Sequence, residues 1–498
     1  MAKRSTSALG YFVTIRDKIL ASVPWALLET SSSAALGLIS VLVLSRFLTP
    51  AEFGIATVAL AFSQYGGLII GSLLTGPIIQ RPELTERALD TAFWMSVALG
   101  GAAALGCWAA SGPVARFYAQ PELAGYVAAL GVSALLTGVG VLPQALLARQ
   151  FSQRSLTLRS LASRLLAVAA SIVCAAQGGG AWAIVAGALV TGLSTAILSW
   201  TAGVRRPRLQ FSGESCWKFL AFGWPITAQE LLLSVVNRIF PLMVGLFHGA
   251  DALGYLNFAT KMVDPVAGVL GASAYRLGLP MFSALQGEKP ALRRAFQMAS
   301  GYSFAFTAPA LVGLAAVAED AVPLLFGDRW RPAIAIVQIL ALYNAVTFTR
   351  AFVFPCITAL GAPHQNLVTA MIAACAVIAG AFATKHAGIT VVALVWAARL
   401  AFSVPISVRQ LSATAHLTAS QQFRPFLASS LACAGMFVAI QVASHFVVQL
   451  GLAALAITIP VGVVAYLLLI LLFDRSLITQ AIAFAKSGFF AGGKRRAA

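Results

Sequence analysis

The sequence predicts an all-α membrane protein of about fourteen transmembrane helices. Two pseudo-symmetric six-helix lobes are expected around a central cavity, with two further helices at the C-terminal end. Three observations carry this. Of 498 residues, 59% are hydrophobic and only 10% charged, where soluble domains carry about 25% charged residues. Apolar runs close to the ~20 residues that a helix needs to cross the hydrocarbon core recur along the chain. The chain also repeats itself: Pro24, Glu29 and Ser33 are matched 201 residues on by Pro225, Glu230 and Ser234, and Thr49-Pro-Ala-Glu-Phe-Gly54 is echoed 200 residues on by Gly249-Ala-Asp-Ala-Leu-Gly254.

Residues 1–23 form a basic segment (Lys3, Arg4, Arg16, Lys18) without a small-residue cleavage pattern, so no cleavable signal peptide is expected. Tyr11 to Val23 is a short amphipathic stretch suited to a membrane surface. Six apolar runs follow at 24–47, 55–79, 91–110, 123–147, 161–177 and 181–203, giving a first lobe over 24–203. A polar linker, 204–218, leads to runs at 219–247, 255–280, 296–318, 333–360, 366–384 and 388–408, the second lobe over 219–409. Runs at 427–448 and 452–473 add the last pair, and 474–498 is a basic tail.

The repeat extends past its first hairpin. Val141-Leu-Pro-Gln-Ala-Leu-Leu-Ala148 in the fourth run resembles Val353-Phe-Pro-Cys-Ile-Thr-Ala-Leu360 in the tenth, and Gly180-Ala-Trp-Ala-Ile-Val185 resembles Gly388-Ile-Thr-Val-Val-Ala393. Units with an even number of helices share one orientation, so the lobes should be related by an axis along the membrane normal, with a substrate path between them.

The basic residues set the topology. With the N-terminus cytoplasmic, the cytoplasmic segments hold 23 of the 34 Lys and Arg, against five on the opposite side (Arg46, Arg116, Arg329, Arg331 and Lys385). That asymmetry follows the positive-inside rule through every alternate loop and places both termini in the cytoplasm. The net charge of +18 is thereby assigned to topology, and no nucleic-acid partner is expected. Six scattered cysteines without a CxxC pair and five dispersed histidines without HExxH indicate neither disulfide framework nor metal site. Gly492-Gly-Lys-Arg lacks the leading Gly and trailing Ser/Thr of a phosphate-binding loop, so ATP hydrolysis is not expected. No cofactor is expected.

Charges inside the runs mark the candidate site, because each costs roughly 2.5–3.5 kcal/mol at the centre of a membrane helix. The acids are Glu29, Glu230 and Asp264, and the basic residues Arg164, Arg238, Lys261, Arg276, Arg350 and Arg399. Glu29 and Glu230 are equivalent in the repeat. They read either as groups coupling transport to H+ or Na+, or as acids tolerated at a helix start, five residues after a proline. Lys261 and Asp264, three apart on one helix face, either neutralise each other or face a cavity, with Asp264 a further ion-coupling candidate. Arg276 either snorkels to the interface or joins the cavity, while Arg164 sits at a run start. Arg238, Arg350 and Arg399 have no acid three or four residues away. Glu230, Ser234, Asn237 and Pro241 share a stripe with Arg238 beside it, the pattern of a lumen-facing polar face. Interior charge in a duplicated membrane unit is the outline of a transporter.

Several motifs resemble a known family. Leu44-Ser-Arg-Phe-Leu-Thr-Pro-Ala-Glu-Phe-Gly54, Ile78-Ile-Gln-Arg-Pro-Glu-Leu-Thr-Glu86 with Ala92-Phe-Trp94, and Pro143 through Phe151 followed by Gly180-Ala-Trp182 are similar to the Wzx-type polysaccharide flippases. These translocases of lipopolysaccharide and exopolysaccharide synthesis belong to the multidrug/oligosaccharidyl-lipid/polysaccharide exporter superfamily. The second half departs from them: where the family often has Arg-Asn-x-Asp in the seventh helix, this chain has Asn237-Arg238-Ile-Phe-Pro241, without the Asp. The resemblance implies a V-shaped cationic cavity and alternating access. It further implies movement of an undecaprenyl-pyrophosphate-linked oligosaccharide repeat unit from the cytoplasmic to the periplasmic leaflet of the bacterial inner membrane. Membrane lipids, a coupling H+ or Na+, and polysaccharide polymerase or export proteins are the partners it suggests, and Arg238, Arg350, Arg399, Arg276, Lys261 and Asn237 are the residues available to line the cavity.

Two other classes stand beside it. A drug or cation antiporter of the same superfamily would prefer an acidic cavity. A membrane glycosyltransferase or polymerase would need catalytic groups on a sizeable outward loop, yet the longest, about 318–332, has no Asp-x-Asp.

The topology has a direct check. Single cysteines placed at Arg206 and Arg293 should react with impermeant thiol reagents from the cytoplasmic side, and those at Asp251 and Asp328 from the periplasmic side. Labelling of any of the four from the wrong side breaks the alternation.

Overall fold

The structure is a computed structural model that describes residues 24–25, 28–81, 84–150, 152–201, 203, 205–447 and 451–475. The expected N-terminal segment and nearly all of the basic tail lie outside the described residues. Every regular element among those described is helical. In order they are α1 (Leu28–Phe47), α2 (Pro50–Gln80), α3 (Glu86–Phe117), α4 (Leu123–Arg149), α5 (Gln153–Ala176), α6 (Trp182–Trp200), α7 (Gly213–Ala284), α8 (Lys289–Phe326), α9 (Ile334–Phe348), α10 (Val353–Ala359), α11 (Pro363–Ala383), α12 (Ile389–Ala398), α13 (Leu400–Ala415), α14 (Ala419–Phe423), α15 (Leu427–Val447) and α16 (Leu452–Phe473). This is a multi-pass all-α membrane fold.

Thirteen helical stretches among the described residues are long and apolar enough to span a membrane, against the fourteen expected. The difference lies at one residue. The expected runs 219–247 and 255–280 fall in the single 72-residue element α7, interrupted only at Gly249 (φ 84°, ψ 178°). Glycine tolerates that backbone, so two helices abut there in place of the connection that the expected runs left over 248–254.

By packing, the chain divides into two compact units, one ending at Phe258 and the other beginning at Ala259. In the first, Pro50 opens α2 and Thr49 caps it: Thr49 N–H donates to Glu52 Oε2 at 2.7 Å and Glu52 N–H donates to Thr49 Oγ1 at 3.3 Å, a reciprocal capping box. Small residues then let helix backbones approach closely, as lipid-embedded packing favours. On α3 and α4, a Cβ at Gly138 would lie 2.3 Å from the Ser96 carbonyl oxygen, and one at Gly131 2.9 Å from that of Ala104. The Ser96 hydroxyl donates to the Gly138 carbonyl at 2.7 Å across the same crossing.

The repeated motifs meet each other within this unit. A Cβ at Gly54 would fall 1.9 Å from the Ala250 carbonyl oxygen, and a Cβ at Gly254 would fall 1.8 Å from that of Pro50. Three residues further along each helix, Asn257 Nδ2 donates to Thr57 Oγ1 at 2.5 Å. The contact is reciprocal between positions 200 residues apart, as an axis relating the two copies demands.

In the second unit, Gly435 packs on Leu469 and Gly462 on Ile440, joining α15 to α16, while Trp330 is fully buried in the 3-10 turn that leads into α9. Prolines inside helices leave the carbonyl four residues earlier without its usual donor. For Pro143 and Pro309 those carbonyls, Val139 and Ala305, accept from Trp200 Nε1 at 3.1 Å and from the Tyr466 hydroxyl at 2.7 Å. α4 and α8 accordingly run through their prolines. The expected run 333–360 does not: it is divided between α9 and α10, whereas α12 meets α13 at Arg399 with helical backbone angles (φ −56°, ψ −22°). Pro355 releases Ala351, and the interruption falls around it, at Thr349–Phe352.

The glycine crossing yields a paired expectation. Gly254→Ala forces a Cβ onto backbone and should destabilise the protein by about 1–3 kcal/mol, the cost of overpacking. Gly101→Ala, where nothing lies within 4 Å, should be neutral or gain up to about 1 kcal/mol in helix propensity. Equilibrium unfolding of the purified variants in detergent compares the two.

Candidate functional site

The first unit holds a polar cavity of about 420 Å³ walled by α1, α2, α4, α5 and α6. Glu29 on α1 reaches it and accepts from Gln153 Nε2 at 2.9 Å. Gln144, Thr75, Thr137, Ser160, Thr195 and Ser199 add oxygen donors and acceptors, and Arg159 closes one side. The Arg159 guanidinium is fixed by the α6 terminus, its Nε donating to the Leu198 carbonyl at 2.6 Å and Nη1 to that of Ser155 at 3.3 Å. Glu29 is the carboxylate of this wall and can take a proton or a small hard cation, while the Arg159 guanidinium on the same wall opposes a cation.

Glu230, the repeat-equivalent acid, is on an exposed face of α7. Neighbouring Arg238 is half-buried, with its Nε 3.3 Å from Ser234 Oγ. The side chains of Asn237 and Arg276 lie outside the described residues. Lys261 is half-buried and Asp264 exposed on the later part of α7; the ion pairs found among the described residues do not join them. Arg164 lies on an exposed face of α5.

In the second unit Arg350 stands at a helix interruption and Arg399 at the junction of α12 and α13. Arg350, between α9 and α10, donates from Nε to Ser407 Oγ at 3.1 Å and from Nη2 to Gln422 Oε1 at 2.9 Å, with the Phe423 ring 5.6 Å from its guanidinium carbon. Gln422 on α14 is completely buried and donates in turn to the carbonyls of Val408 and Leu417. Nη1 of Arg350 is buried without a hydrogen-bond partner. Arg399, between α12 and α13, lies 3.7 Å over Trp396 and 4.7 Å over Tyr343, with Nε donating to the Tyr343 hydroxyl at 2.7 Å. Among the described residues neither arginine is in an ion pair. Both guanidinium groups are held by neutral oxygens and aromatic faces and keep their charge uncompensated.

Sequence reasoning missed Asp90. Its carboxylate, 1% exposed, takes Arg205 at 3.0 and 3.3 Å and the Arg208 N–H at 3.0 Å. Glu86 adds a second contact to Arg205 at 3.2 Å, and Trp94 Nε1 donates to the Arg208 carbonyl at 2.9 Å. The expected linker is thereby strapped to the first turns of α3. The available signal was an acid one turn into a helix opposite a basic linker.

This fold is shared with known transporters. The structure of the lipid II flippase MurJ in an inward closed conformation superposes with a TM-score of 0.72 at 14% identity, covering 92% of this chain and all of that one. An inward-facing multidrug resistance MATE family transporter of the MOP superfamily gives 0.61 at 14% identity, covering 77% and 95%.

The family follows from sequence. Residues 43–335 match the polysaccharide biosynthesis protein family, and the chain belongs to it. That range takes in every motif on which the resemblance rested. Among its relatives, the succinoglycan biosynthesis transport protein ExoT of Rhizobium meliloti (strain 1021) is 23% identical over 94% of this chain and 95% of its own. The lipopolysaccharide biosynthesis protein WzxC of Escherichia coli (strain K12) is 25% identical over 66% and 67%.

The two arginines differ in how they are held. Arg350→Met leaves the buried Gln422 Oε1 without its donor, so stability should fall by about 1–3 kcal/mol. Arg399→Met removes a cation–π stack of about 0.5–2 kcal/mol and strands no buried acceptor. Detergent unfolding midpoints should drop further for the first than for the second.

Proposed function

We propose that this protein moves an undecaprenyl-pyrophosphate-linked oligosaccharide repeat unit from the cytoplasmic to the periplasmic leaflet of the bacterial inner membrane. The flipped unit would supply exopolysaccharide or lipopolysaccharide synthesis, with both termini in the cytoplasm. The observation that carries this reading is Arg399: an interior guanidinium without a carboxylate partner among the described residues, in a chain with the MurJ fold. A lipid pyrophosphate brings two or three negative charges whose passage through bare hydrocarbon is prohibitive. Guanidinium forks replace its lost hydration with bidentate, charge-assisted hydrogen bonds. The names of ExoT, WzxC and the lipid II flippase agree with a lipid-linked sugar as cargo.

The motion is alternating access. Arg238, Arg350, Arg276, Lys261 and Asn237 complete the cationic lining. Glu29, set in its polar cavity, is the leading site for a coupling H+ or Na+, with Glu230 and Asp264 behind it. A polysaccharide polymerase or export complex would receive the product. The same Glu29 cavity, with the MATE-like fold, favours a drug or cation antiporter as the second reading.

Loss of the gene should make cytoplasmic-leaflet lipid-linked sugars accumulate and stop polymer export. Arg399→Ala should cut export about tenfold or more at unchanged protein level, the equivalent of losing one charge-assisted contact. Arg399→Lys should restore it only in part, since the charge returns without the fork. Normal export by the alanine variant would remove Arg399 from the site, and a deletion phenotype of drug sensitivity without lipid-linked sugars would favour the antiporter.

A further inference from the structure

A second cavity, of about 610 Å³, lies where the start of α5 meets the end of α6, and neither the cargo nor the coupling ion uses it. Its wall includes Ser152, Arg154, Ser155, Leu158, Arg159 and Thr201, and no carboxylate lines it. Arg159 forms the partition between this cavity and that of Glu29.

The donors here are largely uncommitted. Ser152 caps α5 without a side-chain hydrogen bond. The exposed Arg154 rests on the Trp25 ring at 5.4 Å, and its guanidinium donates no hydrogen bond among the described residues. Arg159 spends Nε and Nη1 on carbonyls that hold it in place, and Nη2 donates no hydrogen bond among the described residues.

Two features place the cavity at headgroup depth. Trp25, anchored by the Thr157 hydroxyl donating to its carbonyl at 3.1 Å, carries Arg154 of the cavity wall on its ring, and tryptophan concentrates at the membrane–water interface. From the cavity an apolar strip runs along both helices. On α5, Leu158 leads at helical spacing to Leu165 and Leu166; on α6, Thr201 leads back to Ile197 and Leu193. All five apolar side chains are 45–55% exposed.

We propose that this cavity binds the phosphate of an anionic phospholipid from the cytoplasmic leaflet, its acyl chains lying along the α5–α6 strip. Charge complementarity selects an anion, and the adjoining apolar strip selects one that carries hydrocarbon, as basic pockets between transmembrane helices do. The site is distinct from the path of the transported lipid and does not depend on which molecule that is.

Thermal unfolding of the purified full chain in detergent, titrated with phosphatidylglycerol, phosphatidylcholine of the same chains, or inorganic phosphate, tests it, with native mass spectrometry reporting bound lipid. Phosphatidylglycerol should stabilise the protein saturably and remain bound, and the other two should not. Arg154→Gln should weaken that binding about tenfold, as expected for one lost charge-assisted contact. Ser152→Ala with Ser155→Ala, which keeps every charge, should weaken it less but measurably. Arg206→Gln removes an exposed charge of the same side outside the cavity and should leave it unchanged. The proposal is overturned by equal stabilisation with phosphatidylcholine, by displacement with millimolar phosphate, or by equal loss in Arg206→Gln.

Discussion

In hydrocarbon every backbone polar group needs a partner inside the protein, and this requirement governs most of what the helices do here. A proline within a helix frees one carbonyl, and the protein answers it in two ways. In α4 and α8 a donor from another helix, Trp200 or Tyr466, takes over the freed oxygen and the helix continues. At Pro355 the helix divides instead. The tenth expected span is the repeat of the fourth, and Pro355 corresponds to Pro143, so one ancestral proline has been resolved both ways. Where the helix divides, Arg350 stands in the gap.

The same demand for close backbone approach explains the crossing at Gly54 and Gly254. Without a hydrophobic force between helices in lipid, van der Waals contact and hydrogen bonds must hold them. Glycines at matched positions bring the Ala250 and Pro50 carbonyls nearer than any Cβ permits. Thr57 and Asn257 then fix the register by a direct hydrogen bond. A contact so tight is also all-or-none, because a small separation forfeits much of the dispersion gain. It suits an element that must be wholly closed or wholly open.

Hydropathy and loop charge made the fold legible, since length and apolarity alone decide what spans a membrane. The repeat was legible because its turn chemistry, Thr49-Pro50 and Gly249-Ala250, survives in sequence. The connection expected over 248–254 shrank to Gly249, whose positive φ lets two helices abut. The site was less legible. Glu29 was visible as an interior acid, but its cavity is assembled from five helices. Arg350 showed no acid nearby in sequence, and its partners are neutral: Ser407 and Gln422, 57 and 72 residues away. Asp90 was overlooked because an acid near a helix start is ordinary until the linker's arginine is found on it.

Divergence between the repeats bears on how the proposed cycle divides its labour. Glu29 and Glu230 began as equivalent positions, yet Glu29 lies in a polar cavity, while Glu230 stands on an exposed helix face. Conversely, the arginines held by neutral partners belong to the second repeat, whose tenth span is interrupted at Arg350 while its partner in the first, α4, runs unbroken. An acid cavity favours a cation and an open guanidinium favours an anion. In the proposed reading the first repeat therefore takes the driving ion and the second the pyrophosphate. The strap from Asp90 to Arg205 keeps the linker with the first repeat.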